Sequence, residues 1–235
     1  MSDKVTDTAN KNKIFNMKNP IHETVVFGIL LAIAGGFLDA YTYIGRDGVF
    51  ANAQTGNIVL LGVYASQGKW AEALLHLPPI IAFIIGVLAT EAIRAKSAHL
   101  FSRDWKRAVL ILEVIVLFIV GFIPYSMPDI VVVVTISFVT SVQVQSFRKL
   151  VGSPYATTMC TGNLRSASQA AYVAFTKHDY ESYRVAARYF VIILAFVIGA
   201  FLGGLLTAML GVKAVWIATA ILVITVILFH IYERE

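Results

Sequence analysis

Long apolar runs constrain this chain more than any other feature of its sequence. Six runs, at 24–43, 78–93, 108–123, 130–147, 189–210 and 212–231, are apolar almost throughout. A helix that crosses the hydrocarbon core of a bilayer needs about 20 such residues. Only 14% of the residues are charged, whereas soluble domains carry about 25%. The sequence therefore predicts an integral membrane protein with six spans.

The polar parts of the chain exclude several other classes of protein. Residues 1–23 are polar and lysine-rich, so they are predicted to form a disordered cytoplasmic tail rather than a cleaved signal peptide. The net charge is +5, but the basic residues lie in loops, where a membrane explains them better than nucleic acid does. The single cysteine, Cys160, and five scattered histidines offer no metal-ligand spacing. We therefore predict no cofactor and no nucleic-acid partner.

The tripeptide Thr-Gly-Asn occurs twice, at 55–57 and at 161–163, each time after small and polar residues. At the same offset of 106 residues, Asp39 aligns with Gln145, and after a seven-residue insertion Gly86 aligns with Gly199. These matches predict an internal duplication with units 24–125 and 126–235. Each unit carries three spans, an odd number, so the second unit is predicted to be inverted relative to the first.

The distribution of basic residues predicts the topology. If both Thr-Gly-Asn segments re-enter the membrane without crossing it, sixteen of the nineteen lysines and arginines share one side, and only Arg46, Lys69 and Lys213 lie opposite. If both segments cross, the basic residues divide equally and Arg165 lies within the membrane. The bias of basic residues toward the cytoplasm favours the first arrangement. The predicted fold is an all-α polytopic membrane protein with six transmembrane helices, two re-entrant half-helix segments and both termini cytoplasmic.

The two Thr-Gly-Asn segments are the predicted binding site. A half-helix that begins at each threonine, a good N-cap residue, would direct unpaired N–H groups and a positive dipole end toward a ligand. The alternative is that each segment only caps a helix and packs it tightly. The predicted solute-binding residues are Asn52, Gln54, Thr55, Gly56, Asn57, Thr158, Thr161, Gly162 and Asn163.

Three acids, Asp39, Glu91 and Glu113, lie within the predicted spans. Asp39 is a candidate for binding a proton or cation, or for capping the nearby Thr-Gly-Asn helix; the alternative is a carboxylate near the membrane interface. Glu113 is a candidate proton-relay acid or a buried structural group. Glu91 and Arg94 are predicted to form an i, i+3 pair.

Further polar residues surround the second segment. Gln143 and Gln145 cannot share one helix face, so we expect one to face the cavity and the other to bond across helices. Arg165 is predicted to face an inner vestibule and attract anions, to pair with Glu113 or Glu91, or to reach water along its own length. Small residues at Gly28, Ala32 and Gly36, and at Gly199 and Gly203, predict close helix packing.

Three stretches, at 35–40, 50–57 and 143–148 with Thr161-Gly162, resemble the YoaK family of bacterial inner-membrane proteins of unknown function. The resemblance extends from about Val25 to Tyr232, and the Gln-Thr-Gly-Asn block at 54–57 is its most specific part. It implies a six-helix protein of the bacterial inner (plasma) membrane, often described as a permease without an established substrate. Many members carry a Gly-x-x-Asn-Ala-like run where this chain has 141–146, so the resemblance implies no role for Gln145.

The functional hypothesis is a secondary transporter that moves a small solute between the two half-helices. A passive channel is the first alternative, since opposed half-helices could also frame a filter. A membrane-embedded enzyme and a non-transporting partner or sensor protein are further alternatives. We predict that the chain is not an enzyme, because nucleophile-elbow, Walker A and dinucleotide signatures are absent from the sequence. The expected partners are membrane lipids and the solute, and a homo-oligomer is left open.

Overall fold

The computed structural model describes residues 20–96 and 103–232, which are mostly helical; most of the predicted tail at 1–23 lies outside them. The nine α-helices of these ranges are α1 (Val25–Gly45), α2 (Gln54–Ser66), α3 (Trp70–Leu75), α4 (Leu77–Lys96), α5 (Arg103–Val120), α6 (Asp129–Ser146), α7 (Cys160–Lys177), α8 (Tyr180–Leu210) and α9 (Val215–Tyr232). Short 3-10 turns at Ile21–Glu23 and Gly211–Ala214 precede α1 and α9.

Local sequence signals set several of these helix ends. The Thr24 hydroxyl accepts a hydrogen bond from the Phe27 N–H and caps α1. The Asp179 carboxylate caps α8 by accepting from the N–H groups of Glu181 and Ser182. At the other end of α8, Gly211 has a φ of 59°, a conformation that glycine adopts without steric cost.

A two-stranded hairpin follows α6, and the sequence did not predict it. Its strands are β1 (Lys149–Leu150) and β2 (Ser153–Pro154), which pair antiparallel across a turn. Gly152 has a φ of 78° in that turn. The Tyr189 hydroxyl donates to the Pro154 carbonyl at 2.6 Å, which ties the hairpin to α8.

Glycines allow α1 and α8 to pack with their backbones in contact. A Cβ atom on Gly36 would lie 2.1 Å from the Phe196 carbonyl oxygen, and one on Gly199 would lie 2.1 Å from the Ile33 carbonyl oxygen. A Cβ atom on Gly203 would lie 2.5 Å from the Phe37 carbonyl oxygen. The small residues that predicted close packing therefore form the α1–α8 contact.

The long helices pack in a reciprocal arrangement. Helix α1 packs against α8 and α9, while α6 packs against α4 and α5. In the second contact Gly86 takes the place that Gly199 has in the first: its Cβ would lie 2.8 Å from the Phe138 carbonyl oxygen. Helices α5 and α9 pack against each other. Each half of the chain is thus held by helices of the other half.

The surface identifies the chain as a membrane protein. Large apolar side chains are exposed along the outer helices, among them Leu88, Phe118, Leu194 and Phe201. Four segments of the described residues are long and apolar enough to span a membrane: Val25–Gly45, Trp70–Lys96, Asp129–Ser146 and Tyr180–Tyr232. The last of them contains both α8 and α9. The predicted span at 108–123 lies in α5, which is not among the four and whose first turns are strongly charged. The six-span count therefore stays a prediction.

Candidate functional site

Asn57 closes the loop that leads into α2. Its side-chain nitrogen donates to the Phe50 carbonyl at 2.8 Å, and its Oδ1 accepts from the Phe50 N–H at 3.0 Å. The amide thus pairs with the backbone of Phe50 as a neighbouring strand would. It is fully buried.

Asn163 closes the loop before α7 in the same way. Its side-chain nitrogen donates to the Ala156 carbonyl at 2.7 Å, and its Oδ1 accepts from the Ala156 N–H at 3.5 Å. The bonded residues are seven apart in both loops, and the two loops lie 106 residues apart. Both amides were predicted to bind solute, but this geometry uses them to hold their own loops.

The helix starts differ from the prediction by one residue. Helices α2 and α7 begin at Gln54 and Cys160, so Thr55 and Thr161 lie in the first turn and do not cap it. The N-cap residues are Ala53 and Met159, and neither makes a side-chain capping bond. Apolar N-caps leave first-turn N–H groups without the partner that a threonine hydroxyl would have supplied.

Asp39 supplies the acceptor at the start of α2. Its Oδ1 accepts from the N–H groups of Asn52 at 2.6 Å and Ala53 at 3.2 Å. Ala53 is the N-cap residue of α2, so the carboxylate holds the end of the loop and does not cap a first-turn N–H as one alternative for Asp39 predicted. The side chain is buried, and its Oδ2 has no hydrogen-bond partner within the described residues. One oxygen is therefore structural, and the other remains available for a proton or a ligand.

The loop before α2 is also held from α1 and α6. The Thr42 hydroxyl accepts from the Ala51 N–H at 3.1 Å, and the Ser137 hydroxyl donates to the Ala51 carbonyl at 2.6 Å. The Asn52 side chain donates to the Gly35 carbonyl at 3.2 Å. Each of these contacts is buried, so the loop is fixed from two sides.

The second loop has no equivalent acid. Gln145 aligns with Asp39, and its side chain donates to the Glu91 carboxylate of α4 instead of holding a loop. Gln143 lies on the other side of α6 and is hydrogen-bonded to the buried Glu113 of α5. Both glutamines therefore bond across helices, and Gln145 also lines a cavity, described below, so the predicted division of roles between them does not hold.

A cavity of about 280 Å³ lies where the starts of α2 and α7 meet. We call it the central cavity. It contains most of the residues predicted to bind solute. Its wall is formed by Asn52, Ala53, Gln54, Thr55, Phe83, Thr158, Met159, Cys160, Thr161, Gly162 and Phe196. Gly56 is not in this wall; it packs against the Phe50 ring, which a Cβ atom would approach to 2.8 Å.

A larger and more polar cavity of about 620 Å³ adjoins it. This vestibule is lined by Arg148 and Arg165, with Gln145 and Gln169. Arg165 faces this space, as one of its predicted roles required, and forms no ion pair with Glu113 or Glu91 in the described part of the chain. Glu91 instead pairs with Arg94 at 3.1 Å, as predicted.

The vestibule and the central cavity share two wall residues, Met159 and Gly162. A Cβ atom on Gly162 would meet no heavy atom within 4 Å. The first turn of α7 is therefore the partition between the two cavities, and its glycine leaves open space beside it.

Comparison with known sequences identifies the family. A sequence profile described as "Protein of unknown function (DUF1275)" matches residues 27–228. The chain belongs to this family. It is also similar to the UPF0700 transmembrane protein YoaK of Bacillus subtilis (strain 168), with 29% identity over 143 residues. That alignment covers 58% of this chain and 62% of the relative, which is less than two thirds of the relative's length. No solved structure matches the chain.

His76 is a site residue of this DUF1275 member that the sequence did not reveal. Its Nδ1 lies 3.3 Å from the Asn57 Oδ1, and its ring stacks on Tyr64 at 5.6 Å. The five histidines show no metal-ligand spacing in the sequence. A buried histidine that supports an asparagine nineteen residues away leaves no such pattern.

Arg46 was also missed, although it is fully buried. Its guanidinium donates to the Asp129 carboxylate at 2.7 Å and to the Ile123 carbonyl at 2.9 Å. The Tyr125 ring lies 4.8 Å from the guanidinium carbon. The sequence could not predict this burial because Asp129, Ile123 and Tyr125 lie more than 75 residues away along the chain.

Asn57→Ala should lower the free energy of unfolding by about 1–3 kcal/mol, because it removes both hydrogen bonds that the fully buried Asn57 amide makes to the Phe50 backbone. Thermal unfolding in detergent measures the loss. The control is Gln67→Ala in the exposed turn after α2, which should change stability by less than about 0.5 kcal/mol. Equal effects for the two variants would contradict the assigned role of Asn57.

Proposed function

We propose that the chain is a secondary transporter that moves a small solute through the central cavity between the starts of α2 and α7. The observation that carries this proposal is the composition of the cavity wall. Ten of its eleven residues form five pairs that align in the duplication: 52 with 158, 53 with 159, 54 with 160, 55 with 161, and 83 with 196. A site built twice from equivalent residues is typical of transporters with internal repeats.

The proposal includes an inverted repeat of two three-span units. The asparagine bonds at 57 and 163, and the reciprocal packing of α1 on α8 and of α6 on α4, support it. Helix α2 has 13 residues and is about 20 Å long, too short to cross a bilayer. Helix α7 is longer but polar, with Arg165 on its second turn. We therefore propose that both segments re-enter the membrane.

The dimensions of the cavity indicate the size of the solute. Pockets for drug-sized ligands occupy about 300–1,000 Å³, so a cavity of about 280 Å³ fits a smaller molecule. Its wall offers hydroxyl and amide groups from Thr55, Thr158 and Thr161 with Asn52 and Gln54. These groups suit a polar solute.

The route to the cavity runs through the vestibule. We propose that the vestibule opens toward the cytoplasm, because the basic residues concentrate on that side. Both termini are then cytoplasmic and the chain lies in the inner membrane. Arg148 and Arg165 line this entrance and would raise the local concentration of anionic solutes.

Asp39 is the proposed coupling acid, since its free Oδ2 can take up a proton or bind a cation while Oδ1 holds the loop. Glu113 is the second candidate; its Oε2 is also buried without a partner among the described residues. The proposal assigns no covalent step and no cofactor to the chain.

The experiment uses proteoliposomes that contain a trapped pH-sensitive dye and are exposed to a panel of radiolabelled neutral amino acids, polyols and monocarboxylates, so that solute uptake and proton movement are measured separately. For the panel member that gives flux, Gly162→Leu should reduce the rate roughly tenfold or more, because the side chain would fill the passage beside α7. Gly62→Leu is the matched control: its Cβ also meets nothing within 4 Å, and it lines neither cavity. Flux through Gly162→Leu at the wild-type rate, or no flux of any panel member, would contradict the proposal.

The same vesicles distinguish a transporter from a passive channel, which the adjoining cavities would also permit. In a proton-coupled transporter, Asp39→Asn should abolish solute-driven acidification while keeping the oxygen that holds the loop. A channel would pass the solute without moving protons and would be insensitive to this change.

Re-entry is tested by cysteine accessibility in a Cys160→Ser background. Single cysteines at Lys69 and Lys177 should react with an impermeant thiol reagent from outside and from inside, respectively. The reason is that a re-entrant α2 leaves Lys69 on the outer side, whereas a crossing α2 would place it inside. If the cysteine at position 69 reacts only from the inside, the α2 segment crosses the membrane. The inverted repeat would then be removed from the proposal.

A further inference from the structure

A second polar cavity lies away from the central cavity, at the end of the molecule where α1 begins. It has a volume of about 160 Å³ and is walled by four separate parts of the chain. Arg94 comes from the end of α4, Lys106 from the start of α5, Arg148 and Lys149 from the segment after α6, and His22 from the turn before α1. We call it the basic pocket.

Arg94, Arg148 and Lys149 are exposed at the rim of the basic pocket, whereas its floor is built from the half-buried Lys106 and the buried His22. His22 is buried, and its Nε2 lies 2.6 Å from the Lys106 ammonium nitrogen. A neutral imidazole accepts such a bond, which fixes the lysine without neutralising its charge. The His22 ring also stacks on Phe229 of α9 at 5.9 Å. The pocket floor is therefore held in place by α5 and α9 together.

Among the described residues of the pocket wall, basic side chains outnumber acidic ones. Four basic side chains line it, and Glu23 is the one carboxylate in its described wall. Glu91 lies nearby and pairs with Arg94. Burial lowers the pKa of Lys106, the charge of Glu23 opposes that shift, and the charges of Lys149 and Arg94 add to it. The folded chain thus brings like charges together at a cost that a bound anion would offset.

The position of the pocket indicates which kind of anion it would bind. It lies at the helix ends where basic residues concentrate, the level of lipid headgroups on the predicted cytoplasmic side. Basic pockets between membrane helices on this side suit the phosphate of an anionic lipid. A pocket of about 160 Å³ admits such a group but not a whole solute of the size that fits the central cavity.

We propose that the basic pocket binds a phosphate group, with Lys106 and Lys149 as its principal ligands. A phosphate oxygen can accept from several donors at once, which matches cations that converge from three helix ends. This site is independent of the transport proposal, because it shares only Arg148 with the vestibule and no residue with the central cavity.

The test is thermal unfolding of the purified full chain in a neutral detergent, with phosphatidylglycerol, phosphatidylcholine or inorganic phosphate added at equal ionic strength. We expect phosphatidylglycerol to raise the unfolding midpoint by roughly 3 °C or more, since a ligand that binds only the folded state stabilises it. Phosphatidylcholine should raise it less, because its choline group offsets the phosphate charge. An equal rise with inorganic phosphate would identify free phosphate as a ligand of the same site.

The variants distinguish phosphate binding in the basic pocket from a general effect of surface charge. The double variant Lys106→Gln/Lys149→Gln should lose the rise, and Lys149→Gln alone, at an exposed position, should lose part of it. The matched control Lys177→Gln/Arg184→Gln removes two exposed cations from α7 and α8, which do not line the basic pocket, and should keep the full rise. No rise with either phosphate ligand, or equal losses in both double variants, would overturn the proposal.

Discussion

Arg46→Ala should lower the free energy of unfolding by about 3–5 kcal/mol, because it removes the fully buried member of an ion pair whose other member, Asp129, is only 19% exposed. Arg46 is fully buried, and its loss leaves the Asp129 carboxylate and the Ile123 carbonyl without their donor. It also removes the cation that lies over the Tyr125 ring. These contacts join the end of α1 to the turn between α5 and α6. Thermal or denaturant unfolding in detergent measures the change.

The control for Arg46 is Arg184→Ala. Arg184 also pairs with an acid, Glu181 at 4.0 Å, but more than half of each side chain is exposed. Exposed pairs contribute about 0–1 kcal/mol, so this variant should unfold close to the wild type. Similar losses for the two variants would mean that burial of the Arg46 pair does not determine its contribution.

Gly199→Ala is expected to destabilise the α1–α8 contact by about 1–3 kcal/mol or more. The added Cβ would lie 2.1 Å from the Ile33 carbonyl oxygen, and a backbone atom cannot move aside as a flexible side chain can. The two helices would have to separate along a contact that Gly36 and Gly203 also keep close. We expect a lower midpoint of thermal unfolding, and a larger decrease for Gly199→Leu.

Gly62→Ala is the matched control for this overpacking. Gly62 is helical, and a Cβ there meets no atom within 4 Å. Alanine at such a site should leave stability unchanged or raise it by about 0.5–1 kcal/mol, because glycine loses more backbone entropy on folding. A decrease at Gly62 as large as that at Gly199 would show that the contact distance is not the cause.

The sequence predicted the helical class and the family because both depend on information that is local in the chain. Hydropathy follows composition along each run, and the conspicuous Gln-Thr-Gly-Asn block at 54–57 marks the family. Helix α1 starts one residue from the predicted position, since Thr24 is a recognisable cap. Helix α8 starts nine residues earlier than predicted, because its first turns are polar and hydropathy does not detect them.

The site was predicted in outline but not in its contacts. The duplication predicted that the two Thr-Gly-Asn segments lie close together, and both segments line the central cavity. It did not show that Asn57 and Asn163 turn back onto their own loops, since residue identity does not give side-chain direction. The sequence could not predict the hydrogen bond between Gln143 and Glu113 either, because that bond depends on how α5 packs against α6. Solute binding at the central cavity stays a prediction.

The reciprocal packing of the two halves has a consequence for how the chain is made. Gly36 of α1 packs on Phe196, which the ribosome adds 160 residues later. At about 5–20 residues per second, that interval is roughly 10–30 s. During this time the first half exists in the bilayer without the helices that cover it. Nascent chains should therefore depend on insertion factors, or on lipid contacts along α1, until α8 has been synthesised.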